Sequence, residues 1–285
     1  MSLYEPNVPP KTKSRAEARK ERTDAKKAKQ PGANPLIPKT HNQELLLSYL
    51  RSGCHVFATG GAGTGKTYLP SRYAARAVVE GRVSRIIICR PAVTKAKHQL
   101  GFRPGNTEAK MAEWMTPIMK GIREEVSSNT LDVWKANGKF EIVPFETMRG
   151  LTFDDAIVIL DEAQNCDYND LRMFLTRAGE QGQIVVTGDT DQIDVAGSGL
   201  AAITNMIFDY DLPVEVVSFT EEDCVRSPFA KAWLLAFKAE DERKKREAEA
   251  RKVLTEAKLP EGDVTILDAK LGFMQRPIQH EAAAA

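Results

Sequence analysis

The sequence predicts an α/β fold built on a mostly parallel sheet, and three observations carry that prediction. Apolar runs such as "RIIIC", "AIVIL" and "QIVV" are continuous rather than alternating, as strands buried on both faces require. Helical patterns lie between these runs, the strand–helix alternation of α/β proteins. The run "HVFATG" ends directly in a glycine-rich turn, and a helical stretch follows it.

Taken in order, "THNQELLLSYLRSG" opens the first helix. Thr40 and Gln43 have capping-box spacing, Leu45, Leu46, Tyr49 and Leu50 form an apolar face, and Gly53 suits the stop. "HVFATG" is a short strand, and the helical stretch after Thr67 runs to Gly81, with Pro70 tolerable only in its first turn. "SRIIICRPAV", "GKFEIVPFETM", "DAIVILDEAQ" and "GQIVVTGD" supply further strands. A helix from Thr107 places Met111, Trp114, Met115, Ile118, Met119 and Ile122 on one stripe, a core or subunit contact. "NDLRMFLTRAG" is a helix bounded by Asn/Asp at its start and Gly179 at its end. In "SPFAKAWLLAFK", Phe229, Ala232, Trp233, Ala236 and Phe237 recur at helical spacing, and the helix continues into a stretch where 14 of the 21 positions 238–258 are charged. Its Glu240–Lys244, Glu242–Arg246 and Glu247–Arg251 pairs mark a solvent-exposed helix. "DVTILDAKLGF" is a hairpin or strand without a clear place.

The 285 residues suffice for one large domain or two small ones. No apolar run approaches the ~20 residues of a membrane span, and no apolar signal core opens the chain, so a cytoplasmic protein without membrane partners is expected. Four scattered cysteines without a C-x-x-C pair, beside four histidines, argue against zinc and disulfides. The net charge is +1, yet residues 1–40 hold ten Lys/Arg against four Asp/Glu. That basic stretch, ending in "QPGANPLIPKT", is expected to be a disordered tail, either merely solvated or touching phosphate backbone non-specifically.

Gly60-x-x-x-x-Gly65-Lys66-Thr67 fits the P-loop pattern in the context that pattern needs, a strand before and a helix after. Gly60, Gly61, Ala62, Gly63, Thr64 and Gly65 would turn backbone N–H groups toward phosphate oxygens at a helix N-terminus. Lys66 adds a compact charge, and the Thr67 hydroxyl suits Mg²⁺. Asp161 and Glu162 end the "AIVIL" strand, where side chains reach the ligand edge of a parallel sheet. Asp161 would hold the metal, and Glu162 would orient and deprotonate a water, the chemistry of a hydrolase rather than a kinase. "VVTGDTDQ" repeats the arrangement on what should be the adjacent strand, with Gln192 placed to sense a γ-phosphate.

The ordered set "NQ" (42–43), "GGAGTGKT", "RPAV" (90–93), "LDEAQ" (160–164) and "TGDTDQ" (187–192) resembles the PhoH-like ATPases, single-core relatives of superfamily 1 helicases. The likeness extends through "LGFRPG", "MRGLTFDDAIVILDEAQN", "MFLTRAG" and "VVSFTEEDCVRSPF". The resemblance implies a single RecA-like P-loop NTPase core over residues 38–238, flanked by the tail 1–37 and a charged helix and C-terminal tail over 239–285. It implies ATP and Mg²⁺ as cofactors. Gln43 matches the glutamine that reads adenine, a role its cap position would compete with. Asp161 and Glu162 match the metal-holding and catalytic carboxylates, Gln192 the γ-phosphate sensor, and Arg226 the arginine of a "VRHP" element. Here Ser227 replaces that element's histidine, so any role of the histidine is absent.

Superfamily 1 motors clamp ATP between two RecA-like domains, and the chain after Gly188 is too short for a second one of ordinary size. Arg226, in cis or from a neighbouring subunit, is then expected to complete the site, which implies a homo-oligomeric ring such as a hexamer. Arg90, Lys95, Lys97, His98 and Arg103 follow the "IIIC" strand, and Arg149 follows "EIVPF". These basic residues either track the backbone of RNA or single-stranded DNA, or, for Arg90 and Arg149, bridge acids such as Asp161 or Asp189. The leading expectation is a Mg²⁺-dependent ATPase coupled to RNA or single-stranded DNA, helicase-like. The alternatives are an ATP-switched partner-binding protein and a P-loop small-molecule kinase.

Overall fold

The computed structural model describes residues 35–91, 115–189 and 198–256. The chain forms two compact units, one running to Val225 and the other beginning at Arg226. In the first, six strands make one sheet: β1 (His55–Gly60), β2 (Arg85–Arg90), β3 (Phe140–Pro144), β4 (Ala156–Leu160), β5 (Gln183–Gly188) and β6 (Val214–Phe219). Their order is β3-β2-β4-β5-β1-β6, and all neighbours are parallel, in accord with the expected α/β class. β5 lies between β1 and β4, with Val185 in register with Val56 on one side and Ile159 on the other. The carboxyl ends of these three strands therefore sit side by side.

Helices cover both faces, which explains the unbroken apolar runs. Successive strand residues point to opposite sides: in β2, Ile86 and Ile88 enter one core, and Ile87 and Cys89 enter the other. The first core is closed by α1 (His41–Arg51), α2 (Tyr68–Val79), α3 (Thr116–Glu125) and α4 (Ser128–Ala136), through residues such as Leu46, Ala74, Ile118 and Leu131. The second is closed by α5 (Tyr168–Leu175) and α6 (Leu200–Asp209), through Leu171, Phe174 and Ile203. Each fully buried Ile or Leu contributes about 1.5–3 kcal/mol.

The helices follow their local signals with instructive departures. Thr40 caps α1 by accepting from the Gln43 N–H at 3.3 Å, while the Gln43 Oε1 accepts the N–H of Lys39, one residue before the cap, so a full capping box is not made. The buried face of α1 is Leu46, Leu47 and Leu50, with Leu45 and Tyr49 only partly buried. Pro70 lies in the first turn of α2, as required. On α3, Met115, Ile118, Met119 and Ile122 enter the core; Met111 and Trp114 lie outside the described residues. Gly121 lets α3 approach α2: a Cβ there would meet the Ser71 Cβ at 2.8 Å and the Tyr68 carbonyl oxygen at 2.9 Å.

The second unit contains α7 (Pro228–Glu256), a single helix of 29 residues. Its Phe229, Trp233 and Phe237 are exposed and contact one another in series, with ring centroids 6.3 and 5.5 Å apart. Lys244 pairs with Glu240 at 3.7 Å, and Arg243 bridges Glu240 and Glu247. No helix among the described residues is long and apolar enough to cross a membrane. "DVTILDAKLGF" lies outside the described residues.

Candidate functional site

The glycine-rich turn leaves β1 in a conformation that side chains resist. Gly60 has φ +128°, and a Cβ there would lie 2.1 Å from the Phe219 carbonyl oxygen of β6. Gly65 has φ +91°, with the Gln43 Nε2 3.2 Å from where its Cβ would be. Such positive-φ turns aim successive N–H groups into one concavity, an anion-binding nest. Lys66 lies across the loop, its Nζ donating to the Gly61 carbonyl at 3.0 Å. The Thr64 hydroxyl donates to the same carbonyl at 3.0 Å.

Gln43 holds this loop from α1. It is buried; its Nε2 donates to the Thr64 carbonyl at 2.8 Å, and its Oε1 accepts the Lys39 N–H at 2.8 Å. A second brace comes from the turn after β6. Asp223 accepts from the Asn42 Nδ2 at 2.8 Å and the Thr220 N–H at 3.0 Å. Burial alone would raise the Asp223 pKa; hydrogen bonds from Thr220, Thr40 and Asn42 outweigh it and hold the carboxyl below its usual range. Two residues on, the Val225 N–H donates to the Gly63 carbonyl at 3.1 Å.

Thr67 occupies the N-cap position of α2, yet its hydroxyl makes no cap. It donates instead to the Asp161 Oδ1 at 2.8 Å. The P-loop and the carboxylate that ends β4, 94 residues apart in sequence, thus meet directly. The Thr187 hydroxyl of β5 donates to the same Oδ1 at 2.6 Å, and Arg90 from β2 lies 3.4 Å from Oδ2. Asp161 itself is buried. Among the described residues no group of three or more His, Cys, Asp or Glu could hold a metal. The Thr67 hydroxyl and Asp161 carboxylate are hard oxygen donors, and such a sparse pair fits Mg²⁺, which is commonly held by one or two carboxylates with substrate phosphates and water.

Glu162 stands beside this pair with 38% of its side chain exposed. Its backbone is left-handed, φ 59° and ψ 39°, a conformation that non-glycine residues seldom adopt and that clusters at functional sites. Both carboxylate oxygens are engaged: Oε1 lies 3.3 Å from the Arg90 guanidinium, and Oε2 accepts from the Gln164 Nε2 at 2.6 Å. Arg90 therefore takes the acid-bridging alternative, because Asp161 and Glu162 both come within its reach.

The remaining sequence candidates divide clearly. Arg149 is exposed on the turn beyond β3, and Arg226 is exposed at the start of the second unit. Lys95, Lys97, Arg103 and Gln192 lie outside the described residues. Sequence reasoning missed Gln164, Thr187 and Asp223. Each had a signal: the Gln that completes "DEAQ", the Thr before "GD", and the T-x-x-D spacing of a capping box. Cys89 and Cys166 are inert to this chemistry, since burial pushes their thiols well above their usual range.

Known proteins resemble this chain in sequence. The family model described as PhoH-like protein matches residues 35–238. The chain is 37% identical over 208 residues to Protein PhoH of Escherichia coli (strain K12), covering 72% of this chain and 58% of that one. It is 37% identical over 193 residues to a PhoH-like protein of Bacillus subtilis (strain 168), covering 67% and 60%. The chain thus spans a little over half the length of these relatives. Among solved structures, the large terminase of a thermophilic bacteriophage is similar at 12% identity and a TM-score of 0.45, over 67% of this chain and 48% of that one. A Candida albicans Pif1 helicase follows at 18% identity and a TM-score of 0.32, over 85% and 50%. With most of its length matched by the family model, and with the P-loop and the β4 carboxylates joined at one sheet edge, this chain belongs to the PhoH-like protein family.

Proposed function

We propose that this chain is an ATP hydrolase whose turnover is coupled to RNA or single-stranded DNA. The observation that carries the reading is the Thr67–Asp161 hydrogen bond with Glu162 beside it, which gathers phosphate, metal and proton-accepting groups at one edge. The P-loop N–H groups and Lys66 take the β- and γ-phosphates. Thr67 and Asp161 would hold Mg²⁺, which would supply positive charge to those phosphates. Glu162 orients the attacking water and accepts its proton as the bond between the γ-phosphorus and its bridging oxygen breaks, releasing ADP and phosphate. Gln43, already packed on the loop, reads adenine by exchanging one of its backbone bonds, and Gln192 contacts the γ-phosphate.

Arg226 supplies the transition-state charge from a neighbouring subunit of a ring such as a hexamer. The exposed aromatic series on α7 supports self-association, because contiguous exposed apolar surface marks interaction sites. Nucleic acid is bound through its phosphates and without sequence preference by basic residues: Arg149 beyond β3, and Lys95, Lys97 and Arg103 in the sequence that follows β2.

One experiment tests these parts together: ATP turnover with and without poly-ribonucleotide or single-stranded DNA, over a range of salt, alongside mass in solution. Stimulation that weakens as salt rises, in an oligomer, is expected. An unchanged rate in every nucleic acid would refute the coupling, and a monomer with full activity at all concentrations would refute the ring.

A further inference from the structure

Gln164 occupies an unusual position for a polar side chain. It is only 2% exposed, yet both ends of its amide meet functional backbone or side chain. Its Nε2 donates to the Glu162 Oε2 at 2.6 Å, and its Oε1 accepts the Asp189 N–H at 3.0 Å. The partners fix the orientation of the amide: a carboxylate only accepts, and a peptide N–H only donates. Room for the amide is reserved by Gly188, where a Cβ would lie 3.2 Å from the Gln164 Oε1 and 2.7 Å from the Leu200 Cδ2.

We propose that Gln164 is a positioning residue for Glu162, fixing one of its carboxylate oxygens and tying it to the backbone where β5 ends. The proposal rests on Glu162 acting as the proton acceptor. Glu162 needs such support. Its backbone is left-handed, its side chain is partly exposed, and its other hold, Arg90, is shared with Asp161. A carboxylate held at one oxygen can rotate about its terminal torsion; one held at both keeps its remaining lone pairs in fixed directions toward water. The tie to Asp189 also joins the acid on β4 to the strand that separates it from the P-loop strand, so a shift at the end of β5 moves the carboxylate. The bonds of Gln164 go to Glu162 and the Asp189 N–H and not to the P-loop or the Thr67–Asp161 pair, so its loss acts on turnover and spares ATP binding.

Gln164→Met removes both bonds at similar volume. Gln164→Glu keeps an acceptor for the Asp189 N–H but replaces the donor with a carboxylate facing Glu162. Both variants should lose about 10–100-fold in kcat, the range seen when a supporting partner of an active-site group is removed, with ATP affinity within about twofold of the parent. The second variant keeps the test alive if the first does not fold, which thermal melting reports. In single-turnover measurements, Gln164→Met added to Glu162→Gln should cost nothing further, because two residues acting as one unit are not additive. Parent-level kcat in the Gln164 variants beside an inactive Glu162→Gln would overturn the proposal alone. So would ATP affinity falling in step with kcat, or fully additive losses. Parent-level turnover by Glu162→Gln would overturn the role of Glu162 and this proposal with it.

Discussion

His55 makes a bond that the strand ladder cannot. At the first residue of β1 its Nδ1 accepts the Ile184 N–H of β5 at 3.0 Å, one residue before backbone pairing of the two strands begins at Val56 and Val185. Burial lowers its pKa below the ordinary 6.5, and a proton on Nδ1 would abolish the bond. The folded chain therefore binds this proton more weakly than the unfolded chain. The stability His55 adds is complete above about pH 6.5 and is lost as pH falls from there toward the lowered folded value. His55→Asn keeps an acceptor near the same place without titrating. Urea midpoints at pH 7.5 and 5.5 should fall more for the parent than for His55→Asn; equal falls would contradict the assignment. Lys66, Thr67, Asp161 and Glu162 were legible at this scale because motif patterns name them by residue type and spacing. Gln164 and Thr187 were not, because their roles depend on partners from other strands, 25 and 26 residues away.

At the scale of elements, α2 must hold Thr67 against Asp161, and α3 anchors α2. Glu125 near the end of α3 is buried and bridges two arginines of α2: Arg72 at 2.6 Å and Arg76 at 2.8 Å. Removing one partner from such a cluster leaves buried positive charge poorly compensated, a loss of roughly 3–5 kcal/mol. Glu125→Gln should lower stability to denaturant by about that amount while leaving the ligand-edge residues intact; an unchanged urea midpoint would show the cluster to be neutral. The anchor was invisible in sequence, since Arg72 and Glu125 are 53 residues apart and each reads as a surface charge. β6 escaped for a different reason. It is an edge strand in which Val217 and Phe219 are buried but Glu215 interrupts the apolar run, so it lacks the continuous pattern that revealed β1, β2, β4 and β5. Helices α4 and α6 were likewise not expected. Their buried residues are few, and they cover the sheet without carrying site residues.

For the molecule as a whole, the decisive fact is the insertion of β5 between β1 and β4. Local patterns reveal strands, but their order depends on how crossovers pack across the sheet; that "TGD" would stand next to "DEAQ" was expected only because it repeats the same strand-then-carboxylate arrangement. That order brings the P-loop, the paired carboxylates and the Gly188–Asp189 turn to one edge, where open parallel sheets bind their ligands. On the function proposed above it also divides the labour: the loop would bind the nucleotide, and the end of β4 would turn it over. The most direct test compares Lys66→Ala with Glu162→Gln by equilibrium ATP binding and single-turnover hydrolysis on the same preparations. Lys66→Ala should lose ATP binding, while Glu162→Gln should bind ATP as the parent does and fail to hydrolyse it. Loss of binding to the same degree in both, or hydrolysis at the parental rate by Glu162→Gln, would contradict the account.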